Sequence, residues 1–384
     1  MSNTNLSTIK IGILGGGQLG RMLINAANLL NLTTYVLDDD DECPAAKICT
    51  KFIKGSFKNY DDVLAFGKLV DVITIEIESV NTEALIKLQD MGKKVYPEPS
   101  KINVIKDKGL QKQFYKEHHL PTSTFELFAD KTALLKALES NKIKLPFVQK
   151  SCRDGYDGRG VAVIKTKEDL NLLLDRESLV EELVDFEKEL AVIVARNTHG
   201  EVIAYPPVEM TFNPKANLVE NLISPAQIDE KITEKAQKLA LDVMHAFKLT
   251  GVLAVEMFLD KSNNILINEV APRPHNSGHH SIEGNFTSQY QQHLRAILGL
   301  PLGSTNITFN TVMINLLGEK DYSGIPILDG LEKCLALEGV NVHMYGKKET
   351  RPYRKMGHVT IIDSNLERAK QKSDFVQQTL KIKA

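Results

Sequence analysis

The sequence predicts an α/β and α+β chain: a doubly wound parallel sheet up to about residue 96, a hairpin-rich middle, and a small mixed α/β or β-rich segment from about residue 308. Three observations carry that expectation. Apolar runs alternate with helical stretches near the N-terminus, which implies parallel strands joined by crossover helices. Paired apolar runs flank turn-forming residues at 146–164 and 252–270, which implies antiparallel hairpins. The chain has 384 residues, 42% hydrophobic and 25% charged, enough for two or three domains with real cores.

In chain order, residues 10–20 form a short apolar strand that runs into glycines, and 21–30 read as a helix. Gly15, Gly17 and Gly20 satisfy G-x-G-x-x-G, and Asp38 ends the next apolar run, 33–37, as a dinucleotide-binding βαβ unit requires. Read physically, the glycines let a phosphate approach backbone N–H groups and a helix N-terminus; the plainer reading is a tight strand-to-helix turn. Strands follow at 70–77 and 94–96, with helices at 61–69 and 82–91. Glu76 and Glu78 stand at a strand's C-terminal end, two residues apart, so both face a ligand amine or both form a solvated edge.

A charged helix is expected over 102–119. Lys150 ends an apolar strand, where a lysine needs an anion or water, and the glycine-rich loop 151–160 leads into the strand 161–164. That loop is either a flap closing over phosphates or a plain mobile hairpin. Glu181 and Glu189 border the apolar runs 179–184 and 189–194, and His199-Gly200 forms a hairpin turn. Residues 225–249 make the clearest helix, with Ile228, Ile232, Ala236, Leu239, Val243 and Phe247 on a core-facing stripe.

The hairpin 252–270 places one acid in each strand, Glu256 and Glu269, with Asn268 beside the second. Carboxylate and amide oxygens facing one pocket suit a hard cation, Mg²⁺ first; the alternative is that both acids face water. The polar run 271–285 that follows holds three histidines and Arg273, as a site on a rigid scaffold would. A helix is expected over 288–298. The C-terminal segment carries a basic cluster, Lys347, Lys348, Arg351, Arg354 and Lys355, with His343 and His358 nearby. Such clusters are usually solvated faces, and one interleaved with Tyr353 could instead bind nucleic acid; a net charge of −2 disfavours that.

Cys43, Cys49, Cys152 and Cys334 form no C-x-x-C pair, which fits a reducing compartment. The first ten residues are polar and no apolar run approaches membrane-spanning length, so a cytoplasmic protein without a membrane partner is expected.

Together, 15–22, 76–78, 155–160, 268–279 and 351–358 make the chain resemble the ATP-grasp superfamily and, within it, the N5-carboxyaminoimidazole ribonucleotide synthase family. The Tyr-Asp-Gly-Arg-Gly and His-Asn-Ser-Gly-His stretches are specific to that family; the acid pair is shared across the superfamily. The resemblance implies a Rossmann-like domain over 1–100, a two-lobed ATP-grasp domain over 101–305, a small β-rich domain over 306–384, and a homodimer. It implies ATP contacts at Lys108, Lys150, Glu181, Glu182, Leu183, Val184, Glu189 and Asn268, and Mg²⁺, or Mn²⁺ in its place, on Glu256 and Glu269. Gly17, Gln18, Leu19 and Glu76 would meet the ribonucleotide. Tyr156, Asp157, Arg273, His275, Lys347, Arg354 and Lys355 would surround bicarbonate, carboxyphosphate and the substrate phosphate. Asp154 and Val161 depart from the family's pattern in the flap.

The implied reaction carboxylates aminoimidazole ribonucleotide with ATP and bicarbonate, without NAD or biotin. An NAD-dependent oxidoreductase would account for the glycine loop and Asp38 and leave the acid pair, the flap and the basic segment unexplained. A transformylase on the same scaffold and a catalytically silent nucleotide-binding regulator are the other readings.

Overall fold

The computed structural model describes residues 6–153, 160–213 and 218–384. A five-stranded sheet comes first, in the order Lys51–Lys54, Thr33–Asp38, Lys10–Leu14, Val72–Ile75, Lys94–Val95, with every pairing parallel. Ile11, Ile13, Val36 and Ile73 are fully buried, because helices cover both faces of such a sheet. Strand order reverses beside Lys10–Leu14, and ligands of doubly wound sheets sit at such a reversal, past the strands' C-terminal ends. The glycine loop, Glu76 and Glu78 all lie there.

The expected single helix over 102–119 is two helices, Pro99–Ile105 and Lys108–Glu117. Asp107 separates them: its backbone is extended and its carboxylate accepts from the Gly109 and Leu110 N–H groups, capping the second helix. That break sets Lys108 in the first turn of the second helix.

A four-stranded antiparallel sheet follows, ordered Phe125–Phe128, Ser178–Glu182, Phe147–Ser151, Val161–Ile164. The large sheet is antiparallel throughout and runs Ile265–Ala271, Gly251–Asp260, Phe186–Arg196, Val208–Asn213, Leu218–Ser224, Asn310–Leu317, Lys355–Asp363, Val340–Met344. Strand Val202–Ala204 pairs on Phe186–Arg196 beyond the His199-Gly200 turn. Asn310–Leu317 bonds directly to Leu218–Ser224, so the C-terminal strands extend the central sheet.

Helix Glu230–Phe247 lies on that sheet and buries Ile232, Ala236, Leu239, Val243 and Phe247 against Leu190, Val192, Leu253 and Val255. Each large side chain so buried contributes about 1.5–3 kcal/mol, which anchors the acid-bearing strands. Helices Gln18–Asn28 and Gln289–Leu298 share a core of Met22, Leu23, Ala27, Tyr290, Leu294 and Ile297, so the N-terminal sheet is packed onto the segment that follows the acid pair. No helix among the described residues is long and apolar enough to cross a membrane.

Candidate active site

Antiparallel register sets Glu256 directly opposite Glu269. Next along, Met257 pairs with Ile267, which leaves Asn268 as the extra residue of a bulge. Neighbours in a regular strand point to opposite faces; the bulge re-aims one of them, and Asn268 joins Glu269 in facing the lysines. Glu189 stands opposite Phe258, two residues from Glu256 on the same face, so three acids share one side of the sheet.

Lys108 ion-pairs with Glu269 across 161 residues of sequence. Lys150 Nζ lies 2.8 Å from both Asn268 Oδ1 and Glu181 Oε2. Glu181 Oε1 takes a second lysine, Lys112, at 2.8 Å. Lys112 stands one helical turn after Lys108, is almost wholly buried, and also donates to Ser123 Oγ at 3.0 Å. The strand-end lysine thus finds protein acceptors as well as access to the cleft. Both Glu181 oxygens are held by lysines, so its side chain orders the cleft wall. Glu182 is exposed and accepts from Thr124 Oγ1 at 2.8 Å, while Leu183 and Val184 are half-buried between strands.

The electrostatics are uneven. Burial pushes the Glu256 carboxyl up, and the neighbouring Glu269 and Glu189 push it further. Lys108 draws Glu269 well below the ordinary glutamate range, against its burial. Glu189 is raised to about 7, chiefly by burial. Burial lowers Lys112 to about 8, despite Glu181. Glu181 is itself pushed up by burial, but Lys150 and Lys112 outweigh that and leave it low. Glu269 still exposes 40% of its side chain, so the pair opens onto the cleft.

The glycine loop is organised differently. Glu76 accepts from the Gly17 and Gly20 N–H groups, both at 2.9 Å, and Asp38 Oδ2 accepts from the Gly16 N–H at 2.6 Å. A Cβ at Gly17 would fall 2.5 Å from Glu76 Oε1, so the glycine is needed for the protein's own carboxylate. Asp38 therefore braces the loop, where a dinucleotide site would leave it for a ribose. Gln18 and Leu19 open the helix, half-buried. Glu78 binds Arg273 Nε at 2.9 Å, so the two acids serve different protein partners and do not form a joint amine site.

Strand Ile265–Ala271 delivers its chain into the loop 272–280, where His275 Nδ1 lies 3.7 Å from Glu256 Oε1. From the other side, Lys347 Nζ donates to the Lys355 carbonyl at 2.6 Å and Arg354 Nη1 to the Glu349 carbonyl at 2.8 Å. Arg351 and Tyr353 remain exposed. His279 brings these parts together: its ring centroid lies 4.7 Å from that of His358 and 6.4 Å from that of Tyr345. Tyr156 and Asp157 lie outside the described residues. The start of the loop 151–160 is held, since Lys108 N–H donates to the Cys152 carbonyl at 2.8 Å and Arg153 Nε pairs with Asp107 Oδ2 at 2.8 Å.

Sequence reasoning missed Lys112 and Gln289, and it noted His279 only as the end of the His-Asn-Ser-Gly-His stretch, with no role of its own. The spacing of Lys108 and Lys112 was a usable signal, since residues four apart share a helix face. Gln289, a polar residue folded into a core, gave none.

Three family models match the chain: the ribonucleotide synthetase preATP-grasp domain over residues 8–106, the ATP-grasp domain over 113–290, and the phosphoribosylaminoimidazole carboxylase C-terminal domain over 311–372. The crystal structure of N5-carboxyaminoimidazole ribonucleotide synthetase from Thermotoga maritima is 42% identical, with a TM-score of 0.90 over 98% of this chain and 100% of that one. The Aspergillus clavatus N5-carboxyaminoimidazole synthase, in complex with ADP and 5-aminoimidazole ribonucleotide, is 34% identical, with a TM-score of 0.88 over 97% of this chain and 98% of that one. Phosphoribosylaminoimidazole carboxylase of Candida albicans is 40% identical over 382 residues, 95% of this chain. The chain spans 66% of that relative's length.

Proposed function

Since the chain belongs to the N5-carboxyaminoimidazole ribonucleotide synthase family of ATP-grasp ligases, we propose that it carboxylates 5-aminoimidazole ribonucleotide, using ATP and bicarbonate and releasing ADP and phosphate. The observation that carries this reading is the acid pair of adjacent strands, set against Lys108 and Lys150 with the bulged Asn268 between them.

Bicarbonate is a poor electrophile, so an oxygen must first become a leaving group; phosphorylation by ATP gives carboxyphosphate. Lys108 and Lys150 hold the transferring phosphates and take up charge as it moves to the leaving oxygen. Glu189 receives the ribose hydroxyls, and the backbone from Glu181 to Val184 takes the adenine. Glu256, Glu269 and Asn268 offer only oxygen donors, the set a hard divalent cation requires. Two carboxylates and one amide would leave places on Mg²⁺ (or Mn²⁺) for nucleotide phosphates and water. When bound, it would neutralise the β and γ phosphates.

Gly17, Gln18, Leu19 and Glu76 position the ribonucleotide at the strand-order reversal. Arg273, His275, Lys347, Arg354 and Lys355, together with Tyr156 and Asp157, hold the carbonate-derived group and the substrate phosphate. The flap keeps the water-labile intermediate enclosed until the exocyclic amine attacks its carbon and phosphate leaves. The proposal includes domain limits of 1–100, 101–305 and 306–384, and the matches over 8–106, 113–290 and 311–372 support a division into three units. Residence in the cytoplasm, pairing of two copies, and the absence of nucleic-acid or membrane partners complete the proposal.

The test is ADP release with Mg²⁺ and bicarbonate, with and without aminoimidazole ribonucleotide. Release that depends on the ribonucleotide supports the proposal; formate-dependent or ribonucleotide-independent turnover counts against it.

A further inference from the structure

Gln289 is the first residue of the helix Gln289–Leu298, and its side chain is fully buried beneath the loop 272–280. Both ends of its carboxamide are committed. Oε1 accepts from the His275 N–H at 2.9 Å, and Nε2 donates to the His275 carbonyl at 2.7 Å. A backbone N–H can only donate and a carbonyl can only accept, so His275 fixes which end is oxygen and which is nitrogen. The same Nε2 lies 3.2 Å from His279 Nδ1. An amide nitrogen has only protons to offer, so Nδ1 must be the bare, accepting nitrogen and the ring proton must sit on Nε2.

Tyr290, whose hydroxyl is 3.1 Å from the same Nδ1 and 3.5 Å from the weakly accepting Met22 Sδ, can turn its one proton to either and so does not set the tautomer. Gln289 decides. His279 is fully buried, and burial first, then the nearby basic groups, keep its ring neutral. Its Nε2–H is buried and has no hydrogen-bond partner among the described residues. The groups acting on that ring, His275, Lys355, His343 and His280, are all bases, and the His358 ring, 4.7 Å away between centroids, makes no hydrogen bond to its Nε2. A buried N–H donor in a basic setting is costly unless an oxygen acceptor arrives.

We propose that Gln289 is a positioning residue: it clamps the His275 backbone and fixes His279 as its Nε2–H tautomer, which donates to an oxygen of the carbonate-derived group in the active site. This rests on the proposed function for the acceptor's identity; the tautomer itself does not depend on it.

The experiment uses the full chain labelled with ¹⁵N-histidine, the His279 signals being identified by their loss in His279→Asn. Wild-type protein is expected to show a protonated Nε2 and a bare Nδ1, with the Nε2 signal moving when bicarbonate is added with a non-hydrolysable ATP analogue. A protonated Nδ1 overturns the proposal. So does an Nε2 signal unmoved by bicarbonate, which would assign the donor to a trapped water. Gln289→Glu keeps the oxygen that accepts from His275 and turns the group facing His279 into an acceptor, so the tautomer should reverse. In that variant KM for bicarbonate should rise about tenfold, the effect of one lost hydrogen bond, with KM for ATP within about twofold. An unchanged tautomer, or equal losses in both constants with a falling Tm, overturns it. Wild-type protein that releases no ADP in response to the ribonucleotide removes the proposed function, while the nitrogen spectra still decide the clamp.

Discussion

Two regions of this molecule gather carboxylates, and they do so to opposite ends. At the glycine loop, Asp38 and Glu76 neutralise the backbone donors of Gly16, Gly17 and Gly20, so the loop is satisfied by its own protein. At the sheet, Glu256 faces Glu269 with Glu189 alongside, and Lys108, paired with Glu269, relieves part of the crowding of like charge. The first arrangement is complete without a ligand. The second keeps Glu256 and Glu189 crowded against Glu269, and that contrast separates a braced turn from the site proposed to take a cation and a phosphate chain.

The contrast breaks most readily at Glu269. Glu269→Gln should lower ATP turnover about a thousandfold, as the loss of several kcal/mol of charge stabilisation implies, while circular dichroism stays native. Turnover surviving in that variant would return the acids to the solvent. Lys355→Ala should be next in size, lowering carboxylation about tenfold to a hundredfold while KM for ATP changes little. Equal losses in both would take Lys355 out of the carbonate pocket.

Glu76→Gln tests the other region. It sets an amide N–H against a backbone N–H, and should cost about 1–3 kcal/mol of stability by denaturant unfolding while leaving KM for ATP unchanged. A variant as stable as the parent would mean that the loop does not rely on its carboxylate. The smallest effect is in pH. Glu256 is raised by burial and by its acidic neighbours, so the folded, metal-free chain binds a proton that the unfolded chain has lost. Its contribution to stability is therefore present below the ordinary glutamate range and is lost as pH rises through the raised value. A cation must displace that proton, so Mg²⁺ affinity should climb by up to about tenfold per pH unit across the same window. Calorimetric titration over a pH series checks this, and a flat profile would remove the proton from Glu256.

Much of this was legible beforehand, for physical reasons that can be named. The hairpin 251–271 announced itself because two apolar runs around Asp260–Asn264 have few alternatives. The parallel N-terminal sheet followed from alternation alone. The Asn268 bulge did not, since a one-residue slip of register leaves no mark on composition. The helix break at Asp107 was readable as an N-cap, yet the surrounding charge pattern suggested continuity. Gln289 was invisible because a glutamine in a helix reads as surface unless one knows which backbone lies above it. Glycine-loop spacing was the least reliable signal: G-x-G-x-x-G reports that something approaches the backbone closely, and here that is Glu76.

The transfer of ATP's terminal phosphate to a carbonate oxygen is tested most directly with ¹⁸O-labelled bicarbonate. Turnover with ATP and aminoimidazole ribonucleotide should yield inorganic phosphate that carries an oxygen from bicarbonate. Phosphate released without label, alongside carboxylated product, would contradict the account.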